Sequence, residues 1–128
     1  MQRIVSIAIS LLVATSLIFS QQKRVKEITI SGEVIDIQCY TSGAMGKGIG
    51  SGHKECATDC AKGGIPLAIL EDKTGTIYVA GQTKSSMRGA NEMLLPFVAE
   101  KVKVTGRLHE RGGVKLLLIS KIISQASK

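Results

Sequence analysis

The stretch Lys26-Glu27-Ile28-Thr29-Ile30-Ser31-Gly32-Glu33-Val34-Ile35-Asp36-Ile37 decides the fold. Ile28 and Ile30 alternate with polar neighbours, the period of a strand with one face in water, and Val34, Ile35 and Ile37 follow beyond Gly32. A glycine inside such a run marks a bulge or a sharp bend. A long first strand that coils around a small barrel needs a bend of that kind.

Downstream, Pro66 precedes a short apolar strand, Leu67-Ala68-Ile69-Leu70. Asp72-Lys73-Thr74-Gly75 is a turn, and Thr76-Ile77-Tyr78-Val79-Ala80 returns as its hairpin partner. A helix is predicted over residues 86–95, stopped by Pro96. Residues 101–108 alternate as a half-buried strand, Glu110-Arg111-Gly112-Gly113 turns the chain, and residues 114–123 form a closing apolar strand. The order strand, insertion, strand, strand, helix, strand, strand is that of an OB-fold. The expected class is therefore mainly β, an OB-fold-like five-stranded Greek-key barrel. It carries a short Cys/His-bearing helical insertion between strands 1 and 2 and a helix between strands 3 and 4. An open five-stranded sheet with one helix is the competing architecture.

Upstream, Met1-Gln2-Arg3 is a short cationic start and residues 4–19 carry no charge. A basic start, an apolar stretch and Ser20 ahead of a polar segment predict a signal peptide over residues 1–20, with cleavage after Ser16 as the alternative. The apolar run is shorter than the ~20 residues that span a bilayer comfortably, so a cleaved signal is favoured over a retained anchor. No cysteine lies near the cut, which excludes lipid attachment there. The expectation is a periplasmic or secreted protein, residues 21–128 forming one OB-fold-like domain with its insertion at about residues 39–64.

The 128-residue chain has no Trp, two Tyr and two Phe, so its core must be built from Ile, Val and Leu. Without the signal segment, the 17 basic residues lose Arg3 and the remaining 16 face 10 acidic ones, a net charge of +6. The basic residues are scattered, which reads as a solvated surface or weak electrostatic docking. Phe97, Tyr40 and Tyr78 are too few to make stacking platforms, so nucleic acid is not an expected partner. A protein partner is possible, and no membrane insertion is expected after signal cleavage.

Chemistry concentrates in the insertion. Cys39, His53, Cys56 and Cys60 comprise all three cysteines and one of the two histidines. If residues 53–62 are helical, capped by Ser51 and ended by Gly63-Gly64, His53, Cys56 and Cys60 stand at i, i+3 and i+7 and share a face. Residues 41–52 hold five glycines, so no stable helix or buried strand is expected there. They can fold Cys39, at the end of the first strand, over that face. Three thiolates and an imidazole make a Cys3His set that suits one metal ion, zinc or copper before iron.

Two other readings compete. An exported chain favours a disulfide, and Cys39 bonded to Cys56 or Cys60 would leave one thiol free beside His53. A Cys–His nucleophile is conceivable too, but Glu55 and Asp59 point from other helix faces and no orienting acid stands out. Met45 in the glycine-rich loop is a candidate thioether ligand, whereas Met87 and Met93 read as packing residues. Tyr40 reads as a cover for the barrel end, and His109 as a solvated loop histidine. The glycines lack a Gly-Lys-Ser/Thr element, so they read as a spacer or lid and not as a phosphate loop.

Gly32-Glu33-Val34-Ile35-Asp36, Cys39-Tyr40, His53-x-x-Cys56-Ala57-x-x-Cys60, Gly64-Ile65-Pro66 and Val102-x-Val104-Thr105-Gly106 together resemble a group of small exported bacterial OB-fold-like proteins. The resemblance covers nearly the whole mature chain. It implies an OB-like domain with a Cys/His-bearing insertion, and implies no settled activity. Two functions follow for testing. One is an exported metal-binding or redox-centre protein, acting in electron transfer, metal delivery or structural zinc binding. The other is a non-enzymatic OB-type binding module whose insertion is stapled by a disulfide. An enzyme ranks third, because no paired acid and base stands out.

Overall fold

The computed structural model describes residues 25–83 and 89–125, and the predicted signal segment lies outside them. Strand β1 (Lys26–Asp36) pairs antiparallel with β4 (Lys101–Arg111) along residues 26–33 and with β2 (Leu67–Glu71) along residues 32–36. Gly32 and Glu33 belong to both registers, so the strand crosses from one neighbour to the other there. A Cβ on Gly32 would lie 2.2 Å from the Leu70 carbonyl oxygen, which is why a glycine stands at the crossing. The crossing is a bend and not a bulge, since neither register slips. The register shift falls instead in the β4–β5 pairing, between Thr105 and Gly106.

β3 (Ile77–Gln82) pairs antiparallel with β2 and parallel with β5 (Val114–Ser124), and β5 pairs back on β4. The ring β1-β2-β3-β5-β4 is closed, so the open-sheet alternative does not hold. The β4–β5 hairpin turns on Gly112 and Gly113 alone, with φ of 58° and 80°, the two positive values a tight two-residue hairpin turn requires. Glu110 and Arg111, read as turn residues from the sequence, extend β4, and His109 lies in that strand and not in a loop.

The helices lie where an OB-like barrel places them. α1 (Ile37–Ser42) and α2 (Lys54–Lys62) fall between β1 and β2, with a 3-10 turn at Ser51–His53 leading into α2. α3 (Asn91–Leu94) falls between β3 and β4 and runs into a 3-10 turn, Leu95–Phe97, that holds Pro96. Met87 and the start of the helix predicted over 86–95 lie outside the described residues. No helix among the described residues is long and apolar enough to cross a membrane.

The core is aliphatic throughout, as the scarcity of aromatics requires. Ile30, Val34, Leu67, Ile69, Leu94, Val98, Val102, Val104, Leu117 and Ile119 form it with Ala57 and Ala61 of α2. Burial along β1 changes at Gly32. Residues 26–31 alternate, whereas Gly32, Glu33, Val34, Ile35 and Asp36 are all buried. That half of the strand has the barrel on one side and the insertion on the other. Two acids, Glu33 and Asp36, are buried with it.

Candidate metal centre

The first strand ends on a capping residue. Asp36 is extended (φ −81°, ψ 134°), and its Oδ1 accepts the Cys39 backbone N–H at 2.7 Å, satisfying a free donor of the new helix. Cys39 is thus the third residue of α1, a correction to its expected place at the end of the strand. The helix takes in Thr41 and Ser42, which the glycine count had placed in irregular chain, and stops at Gly43 in the left-handed region, φ 66°.

The loop that follows is anchored to β1. Gly48, at φ 64°, packs where a Cβ would meet the Tyr40 Cα at 2.7 Å. Gly50 donates its N–H to Glu33 Oε1 at 2.5 Å, and His53 donates its backbone N–H to the Gly50 carbonyl at 3.0 Å. The glycines therefore act as a tethered spacer that brings residue 53 back to the strand that residue 36 left. His53 Nε2 then donates to Asp36 Oδ2 at 3.0 Å. Asp36 is wholly buried and His53 is 7 % exposed. One carboxylate holds both ends of the insertion's first half.

α2 begins one residue later than expected, at Lys54, and Ser51 is not its cap, since His53 occupies the capping position without a side-chain bond. Ala57 and Ala61 face the core, so Cys56 and Cys60, one position back along the helix, sit half-buried at its edge. The Lys54 ammonium donates to Glu100 Oε1 at 2.6 Å and pins the start of the helix beside β4. Asn91 braces its end. Its Nδ2 donates to the carbonyls of Ala61 (3.0 Å) and Ile65 (2.7 Å), and its Oδ1 accepts the Leu67 N–H at 3.0 Å.

These supports bring all three thiols together. Cys39, buried, and the half-buried Cys56 and Cys60 have their sulfurs within 4.8 Å of one another, and all three are free. A second set, Asp36, Cys39 and His53, is entirely buried and equally close, and the two sets share Cys39. The chain thus carries a Cys/His cluster that could hold a metal ion. Burial pushes the Cys39 thiol up to about 12, helped by the neighbouring Asp36 charge and by hydrogen bonds to Asp36, Cys56 and Cys60. Burial also raises Cys60, against a hydrogen bond from Cys39 that lowers it. Without a cation, Cys39 and Cys60 are held as thiols. A bound cation stabilises the thiolates and releases their protons.

Asp36 and Asn91 are the residues sequence reading missed. An Asp that closes an apolar run is a helix-capping signal that could have revealed Asp36. The same residue supplies the acid partner of His53 that was sought on α2 at Glu55 and Asp59. Asn91 left no comparable signal, because its three partners lie 24 to 30 residues away. Met45 is 58 % exposed and belongs to neither close donor set, whereas Met93 packs against the core as expected. Comparisons with protein-family models, with curated proteins and with solved structures find no match, so the functional reading rests on the cluster itself.

Proposed function

We propose that the chain is a small exported metal-binding protein whose insertion holds one ion within the cluster formed by Cys39, His53, Cys56 and Cys60. Zinc and copper suit this donor set better than iron, because thiolate and imidazole donors favour both. The observation that carries the reading is the convergence of three free sulfurs from two helices within 4.8 Å, with His53 fixed beside the buried Cys39. Chance placement does not explain the number of supports, since Asp36, Glu33, Lys54 and Asn91 each bond to the backbone or side chains that frame the cluster.

The half-exposed Cys56 and Cys60 favour an exchangeable ion over a closed structural one. Metal delivery to or from a protein partner, or electron transfer by a redox-active ion, fits that openness. The signal-like residues 1–20 support an extracytoplasmic setting, and the motif resemblance to small exported bacterial proteins supports the same placement.

Elemental analysis with thiol titration, on protein purified from the compartment it is exported to, tests the reading. One ion per chain, with thiols that become reactive only after chelation, is the expected result. Absence of metal, with two of the three thiols oxidised, overturns it in favour of the disulfide-stapled binding module.

A further inference from the structure

We infer that the ion sits on the three sulfurs of Cys39, Cys56 and Cys60 alone, in a trigonal site for monovalent copper, and that Asp36 and His53 form its outer support. This rests on the metal-centre reading above and names the cation and its donors.

The division of the donor atoms carries the argument. A tetrahedral zinc ion with three sulfurs at ~2.3 Å and a nitrogen at ~2.0 Å draws each sulfur and the nitrogen to within about 3.6 Å of one another. Cys39, Cys56 and Cys60 already form one close set, but His53 shares a set only with Asp36 and Cys39. Its Nε2 donates to Asp36 Oδ2 at 3.0 Å, which leaves Nδ1 as its one possible ligand atom, and neither ring nitrogen joins Cys56 and Cys60 in a close set. Asp36 is no better placed as a fourth donor. Its two oxygens are taken by the Cys39 N–H and by His53, and it too shares no set with Cys56 or Cys60.

What remains is three soft donors and no fourth. Thiolates select monovalent copper among the accessible ions, whereas zinc in a protein site calls for four ligands or an open position filled by water. The sulfurs also differ in access. Cys39 is 5 % exposed and makes the floor, while Cys56 and Cys60 form a rim open along the edge of α2. A rim of that kind lets an incoming thiol from a partner join the ion before a resident sulfur leaves, the step a transferable ion needs. No oxidation or reduction is involved, since copper stays monovalent, one sulfur–copper bond replaces another, and the proton given up by the incoming thiol is taken by the sulfur that leaves. Asp36 is a positioning residue here. It fixes Cys39 through the helix cap and fixes His53 beside it, as outer partners do around metal ligands.

The test is anaerobic loading of the reduced full chain with monovalent copper and, separately, with zinc. Retained metal is counted after gel filtration, and X-ray absorption is recorded at the copper edge. One copper per chain with three sulfur scatterers and no imidazole is expected. The Cys56→Ala/Cys60→Ala double variant should lose copper affinity by more than about 100-fold, beyond the loss caused by removing an outer partner. Its folded state is checked independently by circular dichroism. Imidazole scattering in the copper-loaded chain, or undiminished copper binding by the folded double variant, overturns the three-sulfur assignment and leaves the metal-centre reading standing. Retention of neither metal overturns both.

Discussion

The two histidines lie in opposite settings. His53 is buried against the carboxylate of a capping aspartate and stands beside three sulfurs. His109 is exposed on β4 near the Gly112-Gly113 turn, opposite Leu116, on an open hollow lined with Leu108 and Val114. Strand β1 borders both regions, with its start at the hollow and its end at the cluster. The difference lies in what covers the second half of β1. There the insertion packs over the strand, so Glu33 and Asp36 are buried and must find partners, and their partners are the backbone of the loop and the ring of His53. Burial of polar groups at one site, and their solvation at the other, separates a site from a surface.

The largest expected effect is on metal retention. Cys39→Ser should abolish it, while His109→Gln should leave the bound ion at the wild-type count, both read by elemental analysis of purified protein. Loss in the His109 variant would mean that the chemistry is not confined to the insertion.

Asp36→Ala comes next. Loss of the carboxylate leaves the buried His53 ring N–H and the Cys39 N–H without their acceptor, at a cost of about 1–3 kcal/mol for each group, and the helix cap goes with it. Chemical denaturation should show that loss, and metal affinity should fall about 10- to 100-fold. A change below about 1 kcal/mol would show that the carboxylate is not the joint between the two ends of the loop.

Asn91→Ala strips three hydrogen bonds from the end of α2 and the start of β2, for a cost of about 1–3 kcal/mol. At the hairpin, Gly113→Ala forces a side chain into a φ of 80° with open space around it, so only the backbone strain of about 1–2 kcal/mol applies. That variant should unfold earlier yet bind metal normally when folded.

The smallest effect near neutrality concerns proton binding in the metal-free chain. Cys39 is held up to about 12 from an ordinary 9.0, chiefly by burial. The unfolded chain therefore gives up this proton first as pH rises. The stability this group contributes is intact below about pH 9 and declines as pH climbs toward 12. Cys39→Ser should flatten that alkaline slope in denaturation curves. An unchanged slope would place the titration elsewhere.

Much of the barrel was legible because its signals are local. Alternation at Ile28 and Ile30, the glycine at 32 and the paired glycines at 112 and 113 each report a nearby backbone need. The cysteine cluster was legible by residue type and nearness in the chain. Its internal arrangement was not, because His53 enters the centre from a 3-10 turn and not from the helix, so spacing counted along α2 misplaces it. The extent of β4 was underestimated for a related reason, since Glu110 and Arg111 read as polar turn residues until β5 supplies their ladder partners.

Residue order and chemistry alone established an aliphatic β-barrel with a thiol-bearing insertion, since periodicity and side-chain type act over a few residues. Which groups meet in that insertion was settled by folding. Asp36, His53 and Asn91 take their roles from partners 17 to 30 residues away, brought near by the packing of α2 on the barrel. Burial at Asp36 and His53 then leaves their polar atoms without water and obliges them to bond to each other.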